Sequence, residues 1–229
     1  MMKKPHVAVL YAPGTNCHKE TMHALSLLEI NSTLVIIDDK GKLSHPLKRF
    51  SGLILPGGFS FGDHFGAGRV LSILLRPRLV SELTEFAARG KQILGICNGF
   101  QVLTESGLLP GALVLNESGH FESRWIRIKP AQWDFWRTNH IQKELRLPVA
   151  NKEGRFIWDE MVFPAFHYVD DKNSPTMSYP KNPSGSTTSI AGLTDKTGCI
   201  IGMMPHPERA ALPYHRSQDG LEILKIFAE

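Results

Sequence analysis

The chain has 229 residues, 42% of them hydrophobic and 21% charged, with a formal net charge of +4 at pH 7. That is enough chain to bury a sizeable α/β core, in a composition too ordinary for bulk disorder. The small positive excess does not single out nucleic acid: the basic residues between Arg124 and Arg155 are diluted by Asp134, Glu144 and Glu153, and no RNP, zinc-finger or aromatic-interleaved basic pattern occurs.

The start, Met1-Met2-Lys3-Lys4-Pro5, is basic, but the apolar run after it is only about six residues long. That is too short for a secretory signal, and nothing approaches the ~20 apolar residues of a membrane span. The three cysteines, Cys17, Cys97 and Cys199, are far apart, odd in number and free of any C-x-x-C spacing. They argue against a disulfide framework or a zinc ribbon and for a reducing compartment. The expectation is a cytoplasmic protein.

His6 to Tyr11 reads as a buried strand, closed by the turn Ala12-Pro13-Gly14-Thr15-Asn16. Met22, Leu25 and Leu28 predict a helix over 19–30. Thr33 to Ile37 and Gly52 to Leu55 read as strands, and Pro56-Gly57-Gly58-Phe59-Ser60-Phe61-Gly62-Asp63 as an unusual loop at a strand end. Gly66-Ala67-Gly68 lacks the third glycine of a dinucleotide fingerprint and reads as a flexible loop; there is no P-loop either. A helix over 78–89, capped by Gly90, precedes a strand from Gln92 to Ile96. Cys97 follows at once, and a helix-compatible run begins at Phe100.

Past Gly107 the pattern changes. Ala112 to Leu115 and Arg124 to Ile128 read as strands, 138–147 as a helix stopped by Pro148, and Phe166 to Val169 as a strand. A Pro/Ser/Asn/Gly-rich loop over 174–189 leads to strands at Ile190 to Leu193 and Cys199 to Met204, then a last helix over 217–228. Alternating strands and helices in the first half imply a parallel sheet covered on both faces. The expected fold is therefore α/β: a flavodoxin-like central, mostly parallel sheet with helices on both faces and a C-terminal antiparallel extension, in a single domain over residues 1–229.

The stretch Gly95-Ile96-Cys97-Asn98-Gly99-Phe100-Gln101 places a cysteine at a sharp strand-to-helix turn with small neighbours. This is the nucleophile-elbow arrangement with sulfur in place of oxygen, and the helix N-terminus is expected to favour thiolate. A cysteine nucleophile needs a base, and the base an orienting group. Among ten histidines, His206 in Met204-Pro205-His206-Pro207-Glu208-Arg209 has the means. A residue before proline is extended, so His206 and Glu208, two apart, are expected side by side. Alone, His-Pro-Glu reads more readily as a surface loop with an incidental ion pair. His206 and His215 do not form a zinc motif, and no metal site is expected. The amide of Asn98 is a candidate oxyanion donor, and the Gly57-Gly58-Phe59 loop is a candidate for the second.

Pro56-Gly57-Gly58, Gly95-Ile96-Cys97-Asn98-Gly99 and Pro205-His206-Pro207-Glu208 together resemble the triad (class I) glutamine amidotransferases. The longer strings Leu55-Pro56-Gly57-Gly58-Phe59-Ser60-Phe61-Gly62-Asp63, Cys97-Asn98-Gly99-Phe100-Gln101-Val102-Leu103 and Gly202-Met203-Met204-Pro205-His206-Pro207-Glu208-Arg209 narrow this to the glutaminase subunits of phosphoribosylformylglycinamidine (FGAM) synthase. Pro13-Gly14-Thr15-Asn16-Cys17, Leu108-Leu109-Pro110-Gly111 and Ile190-Ala191-Gly192 also fit. The resemblance implies a Cys97-His206-Glu208 triad, oxyanion donors at Asn98 and at Gly58 (or Phe59), and help from Gln101 in holding glutamine. It implies no cofactor in this chain. ATP and magnesium would act in a separate FGAM synthetase subunit that receives the ammonia, with a small auxiliary subunit as a further partner, and docking would activate a slow glutaminase. Two other readings stay open: a related cysteine amide hydrolase, and a catalytically weak or regulatory scaffold subunit. One departure stands out. Asn151-Lys152 precede Glu153-Gly154-Arg155-Phe156 where the family pattern has His-Gly, which puts the docking surface or the coupling between sites in question.

Overall fold

The computed structural model of the chain describes residues 4–62, 66–75, 78–131, 140–159 and 161–228. Asp63, Asp134 and the first two residues of the expected 138–147 helix lie outside that set. Five strands make the parallel part of the main sheet: β1 (His6–Tyr11), β2 (Asn31–Ile36), β3 (Gly52–Leu55), β4 (Gln92–Ile96) and β11 (Ile200–Met203). Between β10 and β4 the chain order breaks, and the sheet runs β2-β1-β3-β4-β11-β10-β9-β6-β7. Here β6 is Glu122–Pro130, β7 Leu145–Asn151, β9 Phe163–Tyr168 and β10 Ile190–Thr194, all antiparallel to their neighbours within this half. Two further strands, β5 (Ala112–Leu115) and β8 (Glu153–Ile157), pair separately.

The central strands β3, β4 and β11 are buried at every residue, as continuous apolar runs in a sheet covered on both sides must be. Helices α1 (His18–Leu27) and α5 (Gly220–Leu224) pack together, while α2 (Arg69–Leu75) packs on α3 (Arg78–Ala88) and α4 (Asn98–Glu105). The last helix is shorter than expected, with a 3-10 turn at Lys225–Phe227. Helix α2 was not anticipated from the sequence.

The expected helix over 138–147 is a correction: residues 145–151 are strand β7, hydrogen-bonded to β6 with Trp125 opposite Pro148. Leu145, Leu147, Val149 and Asn151 are buried, and the residues between them are more open. That period of two marks a strand. Pro148 does not end it because β7 is an edge strand, where a missing N–H breaks no ladder.

Register fixes the site. Met203 lies opposite Ile96, and Leu55 opposite Gly95. The chain thus leaves β3, β4 and β11 at one sheet edge within about one residue of the same level. Ligands of open α/β sheets sit outside these carboxyl ends.

Candidate active site

Cys97 joins β4 to α4 with φ +50° and ψ −104°. A non-glycine residue there costs about 1–3 kcal/mol, and such strain is tolerated mainly where the surroundings over-determine it. They do so here. The Cys97 amide is held by the Met203 carbonyl at 2.8 Å, and Gln101 N–H reaches back to the Cys97 carbonyl at 3.1 Å. Gly99 crosses β3 so closely that a Cβ would meet the Leu55 carbonyl oxygen at 1.9 Å. The elbow therefore has the geometry its sequence suggests. Its sulfur lies 3.8 Å from the Ala150 carbonyl.

His206 follows β11 and is extended, with φ −101° and ψ 93°. Its amide donates to the Pro148 carbonyl at 2.8 Å, so the edge proline of β7 anchors it. Glu208 sits in a 3-10 turn over Pro207–Arg209 rather than in continued extended chain. The turn still brings Oε1 to 2.6 Å from His206 Nδ1, and both residues are 2% exposed. The other ring nitrogen, Nε2, is buried and makes no hydrogen bond among the described residues. Burial works against the imidazolium. The Glu208 carboxylate and the neighbouring Cys97 and Cys17 thiols outweigh it and hold the His206 pKa well above its ordinary value.

The loop after β3 faces the elbow. Gly58 has φ +146°, and a Cβ there would press on Asn16 N at 2.7 Å, so this backbone path requires glycine. The Phe59 amide is taken by the Gly14 carbonyl at 3.0 Å, and the Cys17 amide donates to the Gly57 carbonyl at 3.2 Å. Of the two amides expected at this position, Gly58 N–H is the one without a hydrogen bond among the described residues. Asn98 N–H is the first amide of α4 and has no partner within the helix. The Asn98 side chain ties the two segments together: its Oδ1 accepts from Ser60 Oγ at 2.6 Å and from Ser60 N at 3.2 Å.

Gln101 lines the same cavity. Its Nε2 donates to the Glu153 carbonyl at 2.6 Å, and its Oε1 accepts from Asn98 Nδ2 at 3.1 Å. The buried Asn151 donates to Asn116 Oδ1 at 3.0 Å, and Asn116 in turn holds the Asn151 and Lys152 carbonyls. The departure at Asn151-Lys152 thus falls inside the site wall.

Cys17 is the residue that sequence reasoning passed over. Its sulfur, a His206 ring nitrogen and a Glu208 oxygen lie within 4.8 Å of one another. Burial raises the Cys17 thiol pKa, and the nearby His206 offsets only part of it. The thiol donates to Asn16 Oδ1 at 3.1 Å, and Arg209 Nη2 approaches the sulfur at 3.1 Å. These three donor types suit zinc, but the guanidinium on the sulfur and the tight imidazole–carboxylate bond make a self-contained polar network. The available signal was positional: Cys17 follows β1 at the same sheet edge. His167 lies elsewhere, with Nδ1 at 3.1 Å from Ser189 Oγ.

Cys97, His206, Gly58 and Gln101 therefore surround one cavity of about 330 Å³, the low end of the small-ligand range. A cysteine in a strained backbone conformation, a buried imidazole–carboxylate pair and two uncommitted backbone amides nearby can carry acyl transfer through a thioester.

Comparison with known proteins points the same way. A family model described as CobB/CobQ-like glutamine amidotransferase domain matches residues 4–226. Phosphoribosylformylglycinamidine synthase subunit PurQ of Pyrococcus furiosus is 40% identical over 226 residues, covering 97% of this chain and 96% of its own. The subunit of the same name from Thermotoga maritima is 37% identical over 224 residues, covering 97% and 96%. Among solved structures, PurLQS from Thermotoga maritima aligns with a TM-score of 0.83 and 35% identity over 98% of each chain.

Proposed function

The chain belongs to the CobB/CobQ-like glutamine amidotransferase family, and from that footing we propose that it is the glutaminase subunit of FGAM synthase, acting in purine biosynthesis. It hydrolyses glutamine to glutamate and passes the ammonia to an ATP-dependent synthetase. The carrying observation is the joint placement of Cys97, His206 and Glu208 at one sheet edge beside the Gly58 and Asn98 amides. The near full-length identity to PurQ subunits of known name supports the choice of pathway.

In the reaction, the Cys97 thiol gives its proton to His206 Nε2 and its sulfur attacks the side-chain amide carbon of glutamine. Electrons move onto the carbonyl oxygen, which is met by Gly58 N–H and Asn98 N–H. The intermediate collapses, the C–N bond breaks, and His206 Nε2 protonates the departing nitrogen to release ammonia. Glu208 holds the ring by Nδ1 and stabilises its charged form. The neutral imidazole then takes a proton from water, which attacks the thioester carbon. A second oxyanion forms in the same place, the C–S bond breaks, and glutamate leaves. Gln101 shapes the wall and holds the glutamine side chain.

We take residues 1–229 to act as one amidotransferase domain, in the cytoplasm, with no cofactor of its own. ATP and magnesium serve the synthetase subunit, and a small auxiliary subunit completes the assembly. Among the described residues no helix is long and apolar enough to cross a membrane. The related cysteine-hydrolase and scaffold readings are less favoured, since every group of the triad is present and assembled. The test is FGAM formation from glutamine with the synthetase supplied. The expected result is a glutamine-dependent rate that disappears without this chain. Equal rates with and without it, at matched free ammonium, would overturn the assignment.

A further inference from the structure

The cavity holds two charged side chains that the chemistry above does not use. Lys152 and Glu153 both line it, at the connection between β7 and β8. Neither forms an ion pair among the described residues. Arg209, the other cation of the lining apart from His206, is committed to the Cys17 sulfur at 3.1 Å.

Their backbone is fixed relative to the nucleophile. Gln101, one turn along α4 from Cys97, donates to the Glu153 carbonyl at 2.6 Å. Asn116 N–H holds the Lys152 carbonyl at 2.9 Å. Glu153 Oε2 accepts from the Ala67 amide at 3.1 Å, which orients the carboxylate. Lys152 is exposed as well as lining the cavity, so its side chain is free to reach a ligand.

A glutamine whose amide carbon meets Cys97 presents its α-carbon three bonds further out. There it carries one carboxylate and one ammonium. An unpaired cation and an unpaired carboxylate on adjacent residues of the same wall as Cys97 match that zwitterion in sign. We infer that Lys152 binds the α-carboxylate of the substrate and Glu153 its α-ammonium. This rests on the glutaminase reading and adds its substrate-recognition residues. A cavity of about 330 Å³ has room for one amino acid and little more.

The experiment uses the complex with its synthetase partner and measures the side-chain carboxylate product. Wild type, Lys152→Met and Lys152→Arg are compared on L-glutamine and on L-glutaminamide, which lacks the α-carboxylate. A charge-assisted contact near the surface is worth roughly tenfold in binding. Lys152→Met should therefore raise KM for L-glutamine about tenfold with kcat nearly unchanged, leave KM for L-glutaminamide within about twofold, and Lys152→Arg should restore most of the loss. Equal effects on both substrates, no effect on either, or a change confined to the stimulation by the partner would overturn the inference. The last result would make Lys152 a docking residue. Loss of turnover in a separate Cys97→Ala control reports on the glutaminase reading itself, so the two failures are distinguishable.

Discussion

Ser60 Oγ donates to Asn98 Oδ1 at 2.6 Å, across the gap between the loop after β3 and the start of α4. The bond joins the segments that carry Gly58 N–H and Asn98 N–H. In the proposed mechanism these two donors converge on one oxyanion, and the contacts of Asn98 Oδ1 with Ser60 hold their segments together. Preorganised donors act because they need no rearrangement when charge develops. Ser60→Ala removes the hydroxyl and leaves the weaker Ser60 N–H contact at 3.2 Å. The expected loss is about 1 kcal/mol, or about fivefold in kcat with KM little changed. Steady-state glutaminase kinetics check it, and a change in KM alone would contradict it.

Glu208→Gln tests the other half of the site. Without the carboxylate, burial is opposed only by the neighbouring Cys97 and Cys17 thiols, and the His206 pKa falls. The imidazolium that protonates the departing amide nitrogen is then scarcer, so kcat should drop on the order of 10²–10⁴-fold and the alkaline limb of the pH profile should move to lower pH. The sign for stability follows from the same shift. A histidine whose folded pKa is raised contributes stability fully present below about pH 6.5 and lost as pH rises through the folded value. The Tm difference between wild type and Glu208→Gln should be largest at or below pH 6.5 and narrow above it. A constant difference across pH 6 to 9 would contradict the coupling.

The two thiols beside His206 should respond differently to alkylation. Cys17 is buried and its pKa is raised, with its sulfur enclosed by Asn16 and Arg209. Reactivity follows thiolate and access. Brief iodoacetamide treatment near neutral pH, read by peptide mass mapping, should modify Cys97 well before Cys17. The reverse order would contradict the site as described.

Gly99→Ala would place a methyl group 1.9 Å from the Leu55 carbonyl oxygen, which is backbone and has no rotamer to escape into. The expected cost is about 3 kcal/mol, at the upper end for overpacking. The midpoint of urea unfolding should fall accordingly. An unchanged midpoint would mean that α4 is not seated against β3 as described.

Much of this was legible in the chain. Strands β1, β3 and β4 appear with the same limits in sequence and structure because strands buried on both faces are unbroken apolar runs. Cys97, His206, Glu208, Gly58 and Asn98 stood out because local backbone rules mark them: an elbow, a residue before proline, a glycine pair, a helix start. What escaped depends on distant pairing. Leu145 to Asn151 was taken for part of a helix because Pro148 reads as a stop unless β7 is known to be an edge strand. Cys17 lies 192 residues from Arg209, which contacts its sulfur, and Ser60 lies 38 residues from Asn98, both in ordinary turn sequences. No local pattern marks Ser60 as a partner of Asn98. The 3-10 turn at Glu208 is a milder case, since the expected pairing with His206 formed through a different backbone path.

The central claim is that Cys97, and not its neighbour Cys17, attacks glutamine. Glutamate release by the complex with the synthetase partner tests it most directly, comparing wild type, Cys97→Ala and Cys17→Ala. We expect Cys97→Ala to abolish release and Cys17→Ala to keep a measurable turnover that still rises when the partner is added. Wild-type release from the Cys97→Ala protein, or its loss in Cys17→Ala alone, would contradict the account.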